Sequence, residues 1–598
     1  MVVRTLITTA DIETWPKDKN EPVLFLGEWC KKYSQIFLLD QMNYEVASYH
    51  WDDREKLYQD YNYLQNIYEK TLINLSNKLN SIHGVNYELR YWRIFIGPWL
   101  CLFIQVLFDR WFMINKVVDE NQANLLKIIV KERESIISRD YLEAKKMYLT
   151  DDWNEMMYGQ LINKFFDKKL SILNLFNKSS KTKNNNPPQF FGKLQEKKNS
   201  SLLVNLLNNS LQKFSKYTNN DEDYFFKDTY LFLFTDLKLQ LRLKQFPVIQ
   251  QEILMPHFNF NVKMRQWDLN NEANNDAFET VLNTIVPMHI PMAYLEGYSQ
   301  LLEGLNKLSW PKNPKAIFTS NPVSDDIFKL WVAEKVHKGT PLIIGQHGGN
   351  YGMNTFNSSE KHQFSIADKW LSWGWSVEGE KNVTPIGNLI ALNHLVKHNP
   401  NGGALMVEMN LPRYSYDLNS IPIAGQFNYY FEDQKSFIDH LPKKIRQKLT
   451  LRLYPNDYEK GVENFWRLNY PDIYIDSGNA KISSLIKKNK IYISTYNATT
   501  YLLSLTWNIP SIIFWNPKHW EMNEEASHYI KLLESVGIFH DTPEAAAKKI
   551  SEVWEDIPSW WESQEVQDIR IEFCKQYSYL PGDSLNKMET LFKEIVKS

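Results

Sequence analysis

The stretch PLIIGQHGGNYG at residues 341–352 indicates an α/β fold with a ligand site at a sheet edge. It begins with an apolar run, as in a buried strand, and four glycines follow within eight residues. Ligands of open parallel sheets bind beyond the carboxyl ends of strands, and glycine lets the backbone approach a ligand closely. We therefore expect a binding loop here, with a plain turn as the alternative. His347 in this loop titrates near neutrality and is a candidate general base.

The sequence after about residue 280 alternates short apolar runs with helical patterns. Such alternation is typical of parallel sheets that are covered by helices on both faces. Two such sheets, separated near residues 385–400, would form two Rossmann-like lobes. The sequence therefore predicts an α/β protein of two lobes.

The N-terminal lobe is predicted to carry a large helical insertion at about residues 50–270, where apolar residues recur at helical spacing. Residues 178–201 are rich in Lys, Asn and Ser and predict a mobile loop. Ile94–Phe108 is apolar but short for a membrane span and contains Gly97-Pro98 as an interruption. We interpret it as a buried helix, with a membrane-surface contact as the alternative. The predicted domains are residues 1–388, residues 389–561 and a last helix at 562–598 that crosses back to the N-terminal lobe.

Net charge and cysteine content exclude two classes of protein. The 598 residues contain 68 Lys and Arg and 70 Asp and Glu, and the formal charge of −2 argues against nucleic-acid binding through a basic surface. The three cysteines form no CxxC pair, so neither a zinc cluster nor a disulfide framework is expected. The N-terminus has none of the features of a signal peptide, and we expect a cytoplasmic protein.

Polar residues also follow the predicted strands of the C-terminal lobe. Hydroxyl groups and free backbone N–H groups at a helix N-terminus bind phosphate, with N-capping as the alternative. The predicted nucleotide- and phosphate-binding residues are Arg452, Tyr454, Pro455, Ser494, Thr495, Asn497, Thr499 and Thr500. Asn516, in a loop after an apolar strand, would wall a base pocket or serve packing.

Charged and aromatic residues are combined in two N-terminal segments, HWDDR at 50–54 and RYWR at 90–93. Arginine pairs bidentately with carboxylates and phosphates, so these segments would bind an anionic sugar. The alternative is an internal ion-pair network that links the helical insertion to the lobe. The predicted donor- or acceptor-binding residues are His50, Asp52, Arg54, Arg90, Arg93, Gly348, Gly349, Asn350 and Asn516.

The order of these motifs resembles that of the two-lobed GT-B glycosyltransferases, in which an acceptor lobe precedes a nucleotide lobe. The motifs are GQHGG at 345–349, ADKWLSWG at 367–374, PIGN at 385–388, RLYP at 452–455 and TYNATT at 495–500. The nearest groups are capsule-type Kdo transferases, CMP-sialic-acid transferases and CDP-glycerol glycerophosphotransferases. Most of the chain is similar to a family of bacterial surface-polysaccharide transferases, whose members share TTA…TWP, LGEWC, YHWDDR, LRYWR, IGPW and GQHGGNYG.

The resemblance adds a second candidate for the general base and favours one nucleotide in the donor. The Gly-Glu pair at 27–28 resembles the catalytic Glu of lipid A Kdo transferases, so Glu28 rivals His347, with a capping or salt-bridged Glu28 as the alternative. Tyr454 stands where the related families have the His of a His-Pro pair, and a phenol cannot become a cation. Residues 499–506 lack the carboxylate that holds the ribose of UDP-sugars, which favours a cytidine nucleotide.

The resemblance thus predicts a glycosyltransferase that moves a CMP-activated acidic sugar, a Kdo-like or nonulosonic acid, onto a surface-glycan acceptor. The alternatives are a CDP-glycerol-type polyol-phosphate transferase and a non-catalytic glycan-binding scaffold with a GT-B-like fold. No metal is expected, and no cofactor besides the nucleotide-sugar donor. The expected partners are the donor and a glycan or lipid-linked acceptor, in the cytoplasm or at the inner face of the cytoplasmic membrane.

Overall fold

Three parallel sheets organise the chain. The computed structural model describes residues 4–120, 126–131, 137–166, 170–175, 220–250, 253–269, 276–380, 382–392 and 394–597. The predicted mobile loop at 178–201 lies outside these residues. Two five-stranded sheets lie in the N-terminal part and one six-stranded sheet forms the C-terminal lobe. The predicted α/β class with two parallel-sheet lobes is confirmed, and the N-terminal part contains one sheet more than the sequence suggested.

The first sheet is built from residues that precede position 180. Its strands are β1 (Arg4–Ile7), β2 (Val23–Phe25), β3 (Tyr44–Val46), β4 (Leu126–Lys131) and β5 (Ser171–Leu175). They pair in the order β3-β2-β1-β4-β5, and every pairing is parallel. Strands β4 and β5 fall inside the region 50–270 that the sequence predicted as helical. Because they add to a sheet edge that β1 leaves open, their pairing depends on contacts distant in sequence.

The second and third sheets follow the predicted alternation of strands and helices. The second sheet contains β6 (Phe225–Phe226), β7 (Ile317–Thr319), β8 (Leu342–Gly345), β9 (Lys369–Ser372) and β10 (Val383–Pro385). The third sheet contains β11 (Gly403–Val407), β12 (Leu449–Arg452), β13 (Tyr474–Asp476), β14 (Asn489–Ser494), β15 (Ser511–Phe514) and β16 (Phe539–His540). Their orders are β10-β9-β8-β7-β6 and β13-β12-β11-β14-β15-β16. All pairings are parallel, so the loops after the strands gather at one edge of each sheet.

Helices pack around the N-terminal sheets. They are α1 (Ile36–Leu39), α2 (Arg54–His83), α3 (Leu89–Glu120), α4 (Tyr141–Met147), α5 (Asp151–Leu161), α6 (Leu233–Arg242), α7 (Ala277–His289), α8 (Tyr298–Leu305), α9 (Asp326–His337) and α10 (Ser358–Ile366). Helix α2 begins where the Asp53 carboxylate accepts hydrogen bonds from the backbone N–H groups of Glu55 and Lys56. It ends at Gly84, whose φ of +67° suits glycine.

Helix α3 is the buried apolar helix that the sequence predicted. It has 32 residues, twice the length of the apolar segment noted in the sequence, and Pro98 lies inside it without ending it. Its length and composition would allow it to cross a membrane, but 94% of its most apolar window is buried inside the protein. The interior position explains the apolar composition, because helices α2, α9 and α10 pack on its surface.

The C-terminal lobe has its own helices. They are α11 (Phe427–Asp439), α12 (Lys443–Arg446), α13 (Val462–Asn469), α14 (Ile482–Ile486), α15 (Thr499–Thr506), α16 (Glu524–Ser535), α17 (Pro543–Val553), α18 (Ile557–Trp561), α19 (Gln564–Tyr577) and α20 (Ser584–Ile595). The chain returns to the second sheet after α19, where the Tyr579 N–H donates to the Trp373 carbonyl at 2.7 Å. Met588 and Phe592 of α20 then join a core formed with Phe226 and Phe318.

The third sheet faces both N-terminal sheets across its carboxyl edge. The loop after β11 reaches the first sheet, where the Arg413 guanidinium donates to the Trp29 carbonyl. The loop after β14 reaches the second sheet, where Ala498 lies against Gly349. One carboxyl edge therefore forms two clefts, one with each N-terminal sheet.

Candidate active site

The glycine-rich loop after β8 is held in place by Gln346. Its buried side chain donates to the Gly348 carbonyl at 2.7 Å and accepts from the Trp373 N–H at 2.9 Å and the Trp375 indole N–H at 3.0 Å. The amide oxygen of Gln346 thus accepts two hydrogen bonds, and these fix the loop against the residues that follow strand β9. Gln346 was not among the predicted site residues, although its place directly before His347 could have indicated a role in the loop.

His347 lies at the carboxyl edge of the second sheet, between two tyrosines. The Tyr351 hydroxyl is 3.4 Å from its Nε2 atom, and the Tyr230 ring centroid is 5.6 Å from that of the imidazole. Burial lowers the pKa of His347 to about 4, and a backbone hydrogen bond with Ser320 opposes the shift. His347 therefore does not titrate near neutrality, as its residue type suggested, because burial disfavours the charged form. The imidazole is neutral at physiological pH and has a nitrogen lone pair that can accept a proton.

The loop of His347 meets the N-terminus of α15 from the opposite lobe. A Cβ atom on Gly349 would lie 2.4 Å from the carbonyl carbon and oxygen of Ala498 and 2.7 Å from the Thr499 nitrogen. Only glycine fits this contact, as the sequence predicted for a close backbone approach. Nearby, the Asn497 amide donates to the Asn354 Oδ1 at 3.1 Å. The structure thus brings together the two motifs that the sequence placed in separate lobes.

The N-terminus of α15 has no side-chain cap. Ala498 is its N-cap residue and supplies no capping side chain. The first backbone N–H groups of a helix have no intrahelical partner, and the helix dipole places partial positive charge there. Thr499 stands in this first turn, and in the described part of the chain its hydroxyl makes no hydrogen bond. This arrangement is suited to a phosphate group.

The other predicted hydroxyl and amide groups are engaged inside the C-terminal lobe. Thr495 donates to the Val407 carbonyl at 2.8 Å and bonds the Tyr430 hydroxyl at 2.6 Å. Ser494 donates to the Tyr496 carbonyl at 3.2 Å, and Thr500 accepts from the Tyr492 hydroxyl at 2.7 Å. These contacts shape the loop and leave its first backbone N–H groups and the Thr499 hydroxyl as the groups that could meet a ligand.

Arg452 and Tyr454 follow β12 in the same lobe. The Arg452 guanidinium donates to the carbonyls of Gly478 and Ala480 at 3.3 and 3.4 Å, and its Nε lies 3.8 Å from Asp476. Arg452 therefore ties β12 to the loop after β13. Tyr454 is 42% exposed, and Pro455 packs against Gly478. Tyr454 thus remains available to a ligand.

Glu28 lies in the cleft of the first sheet. It forms an ion pair with Lys31 at 2.7 Å, and its Cβ and Cγ atoms are the nearest neighbours of Gly425. The contacts of His347 are with the second sheet and its surroundings, so the structure does not join the two candidate bases in one contact network. The salt-bridged alternative for Glu28 is the one that the structure shows.

The charged N-terminal motifs form internal ion pairs and hydrogen bonds. Arg93 bonds Glu69 through two contacts of 2.6 Å, and Arg90 bonds Asp368 at 2.8 Å. His50 is buried and bonds Asp109 at 2.9 Å. The remaining contacts are those of Asp52 with the Gln426 amide at 3.2 Å and of Arg54 with Glu521 at 2.5 and 2.7 Å. The alternative of an internal network therefore describes the contacts of these residues, and their binding of an anionic sugar stays a prediction.

The remaining predicted residues serve local structure. Asn516 caps a short helical turn, because its Oδ1 accepts from the Lys518 N–H at 3.0 Å. The Asn350 carbonyl accepts from the N–H groups of Met353 and Asn354 and shapes the end of the glycine-rich loop. Among the described residues, no group of three His, Cys, Asp or Glu side chains could hold a metal ion.

Two buried carboxyl groups near the cleft were not predicted. Glu360 accepts from the Gly352 N–H at 2.6 Å, and burial raises its pKa to about 7. Glu408 follows β11 and accepts from the Trp466 indole at 3.2 Å, and burial raises its pKa to about 8. Both support loops at the carboxyl edges of sheets. Nothing in the sequence around them distinguishes them from ordinary surface glutamates.

The parallel sheets, the returning C-terminal helix and the cleft between a histidine loop and a helix N-terminus define a GT-B-like transferase architecture. The chain belongs to the LIC12162 family of transferases, whose model matches residues 4–591. It is therefore a transferase, as the sequence predicted. No curated protein matches the chain.

Solved structures that are similar to the chain share little sequence with it. A variant of the wall teichoic acid polymerase TagF is 11% identical over 50% of this chain and 85% of its own, with a TM-score of 0.29. MurG of Acinetobacter baumannii is 10% identical over 50% and 77%, with a TM-score of 0.29. HepE of Anabaena in complex with UDP-glucose is 11% identical over 63% and 99%, with a TM-score of 0.34. At these TM-scores the likenesses carry no argument about this chain.

Proposed function

We propose that this transferase is a GT-B-type glycosyltransferase that moves a CMP-activated acidic sugar, of the Kdo or nonulosonic acid type, onto a cell-surface glycan. One observation carries the proposal: the His347 loop and the uncapped N-terminus of α15 meet across the lobes, with Gly349 against Ala498. A base and an anion site on opposite sides of one cleft are what transfer from a nucleotide donor requires.

In the proposed reaction the nucleotide phosphate lies at the N-terminus of α15. The bond between the anomeric carbon and the phosphate oxygen breaks, and its electron pair stays with the departing nucleotide. The backbone N–H groups and Thr499 stabilise the negative charge that develops there. The acceptor hydroxyl forms the new bond to the anomeric carbon and gives its proton to His347, whose lowered pKa keeps the imidazole neutral beforehand.

The two lobes also limit hydrolysis of the donor in this proposal. Gly352 and Asn523 connect them beside the site, since the Asn523 amide donates to the Gly352 carbonyl at 2.9 Å. Contacts of this kind exclude water from the reacting centre. In this proposal the acceptor glycan is made in the cytoplasm or presented at the inner face of the membrane. Glu28 takes no part in proton transfer.

A thermal-shift panel tests the proposal. Full-length protein is heated with CMP, CDP, UMP, UDP, GDP or ADP, and the same panel is run on Thr499→Val and on Thr284→Val. Thr284 is a partly exposed helical threonine that bonds its own helix, so its change is a matched control. We expect stabilisation by CMP or CDP, worth about 2.7 kcal/mol at 100 times the dissociation constant, that is weakened only in Thr499→Val.

Other outcomes separate the alternatives. Selective stabilisation by UDP or GDP would contradict a cytidine nucleotide as the donor and would leave the fold assignment unchanged. Release of a phosphodiester product from CDP-glycerol would show polyol-phosphate transfer instead. No shift with any nucleotide, in a folded protein, would favour the glycan-binding scaffold.

A further inference from the structure

A cavity of about 490 Å³ lies in the cleft between the first sheet and the C-terminal lobe. Its walls come from the loop after β2, the loop after β12 and the start of α11. Ligands of parallel sheets bind at such carboxyl edges, and 490 Å³ lies within the size of small-molecule sites. In the described part of the chain, neither the His347 loop nor residues 494–500 line it, so it lies outside the proposed transfer site.

One cation in this cavity has no counter-ion. Lys31 pairs with Glu28, and Lys32 and Arg413 both pair with Asp151 and Glu459. The Lys460 ammonium makes no hydrogen bond or ion pair with the described residues. Its ammonium lies instead 3.9 Å from the centroid of the Phe427 ring.

The position of Lys460 also disfavours its charge. Burial lowers its pKa to about 7, and the nearby Arg413 guanidinium adds to the shift. The carboxylates of Asp457 and Glu28 act to raise the pKa, but both lie beyond ion-pair distance. An ammonium without a partner in such surroundings gains more from an incoming anion than an exposed lysine would.

Aromatic rings complete the cavity. Phe427, Phe431 and Phe465 line one side, and the last two meet edge to face with centroids 5.0 Å apart. Tyr44 lies in the wall that the first sheet contributes. Flat apolar rings next to a few charged groups form a surface that suits the ring of a sugar, which has C–H faces and polar edges.

We propose that this cavity binds an acidic sugar residue as a second carbohydrate site. The sugar carboxylate pairs with the Lys460 ammonium, the sugar ring packs on Phe431 and Phe465, and Glu28 accepts hydrogen bonds from the sugar hydroxyls. The site is a binding site only and does not depend on the proposed transfer reaction.

Isothermal titration of the full chain with N-acetylneuraminic acid tests the proposal, with the methyl ester of the same sugar as an uncharged probe. We expect the acid to bind at least tenfold more tightly than the ester. Lys460→Met is expected to abolish that difference, and Lys460→Arg is expected to keep it. Lys490→Met is the matched control, because Lys490 also lies 3.9 Å from an aromatic centroid, that of Trp554, outside the cavity.

A third variant distinguishes this site from the transfer site. His347→Asn should bind the acid as the unchanged protein does, even if the nucleotide panel gives no shift. Equal binding of acid and ester, no binding of either, or loss of binding in His347→Asn but not in Lys460→Met would each overturn the proposal. Binding of glycerol 3-phosphate in place of the sugar acid would overturn it as well.

Discussion

Gly349 determines how closely the two lobes approach at the transfer site. Its Cα hydrogen occupies space in which a methyl group would overlap the backbone of Ala498. Backbone atoms of a helix start cannot move aside as a flexible side chain can, so a larger residue must separate the lobes. The same contact holds the His347 loop near the N-terminus of α15.

We expect Gly349→Ala to cost about 1–3 kcal/mol of unfolding free energy and to abolish the nucleotide-induced thermal shift. Gly304→Ala is the matched control, because a Cβ atom at Gly304 meets nothing within 4 Å. Since alanine is the better helix former, that change should stabilise the protein by up to about 1 kcal/mol. Unchanged nucleotide binding in Gly349→Ala would show that the lobe contact is not needed for the site.

At the scale of elements, α20 closes the second sheet. Phe592 is fully buried and stacks on Phe226, with centroids 5.5 Å apart, and meets Phe318 edge to face at 5.4 Å. The Tyr224 hydroxyl donates to the carbonyl of Phe592 at 3.2 Å. The last helix therefore covers strands β6 and β7, which precede it by more than 250 residues along the chain.

Phe592→Ala should cost about 3–5 kcal/mol, because a large buried ring leaves a cavity among other rings. The expected result is faster amide hydrogen exchange in α20 and in β6, with a lower melting temperature. Ile571→Ala, at a side chain that is 42% exposed, is the control and should change stability by less than about 0.5 kcal/mol. Unchanged exchange in β6 would contradict the role assigned to α20.

At the scale of the whole molecule, the C-terminal lobe connects two N-terminal sheets. Arg54 at the start of α2 contacts Glu521 after β15 through two hydrogen bonds and also donates to the Gln426 amide oxygen at 2.9 Å. This pair joins segments that are 467 residues apart in sequence. A bidentate, partly buried pair of this kind holds orientation better than an exposed one.

A double-mutant cycle with Arg54→Met and Glu521→Gln should give a coupling energy of about 1–3 kcal/mol. The comparison is a cycle on Arg467 and Glu463, an exposed pair one helical turn apart, where about 0.5 kcal/mol or less is expected. Denaturant unfolding of the unchanged protein and the six variants supplies both values. Equal coupling in the two cycles would show that the Arg54 pair does not tie the lobes together.

Local patterns were sufficient for much of the fold and for the centre of the site. The alternation of strands and helices after residue 280 predicted the two later sheets, because hydrophobic periodicity follows from local geometry. GQHGG at 345–349 predicted a loop at a sheet edge, and position 349 has space only for a residue without a side chain. The apolar composition of α3 predicted burial, although Pro98 did not end the helix.

The partners of polar side chains depended on tertiary structure. Residue type alone does not show that Thr495 bonds Val407 or that Arg54 bonds Glu521, because each contact joins segments that are far apart in sequence. For the same reason it does not show that the Lys460 ammonium lacks a counter-ion. The first sheet is a second case, because β4 pairs with β1, and β5 with β4, only after the chain has folded back on itself. Short-range patterns determined the elements and the loop of His347, whereas long-range packing decided which charges were neutralised and which remained for a ligand.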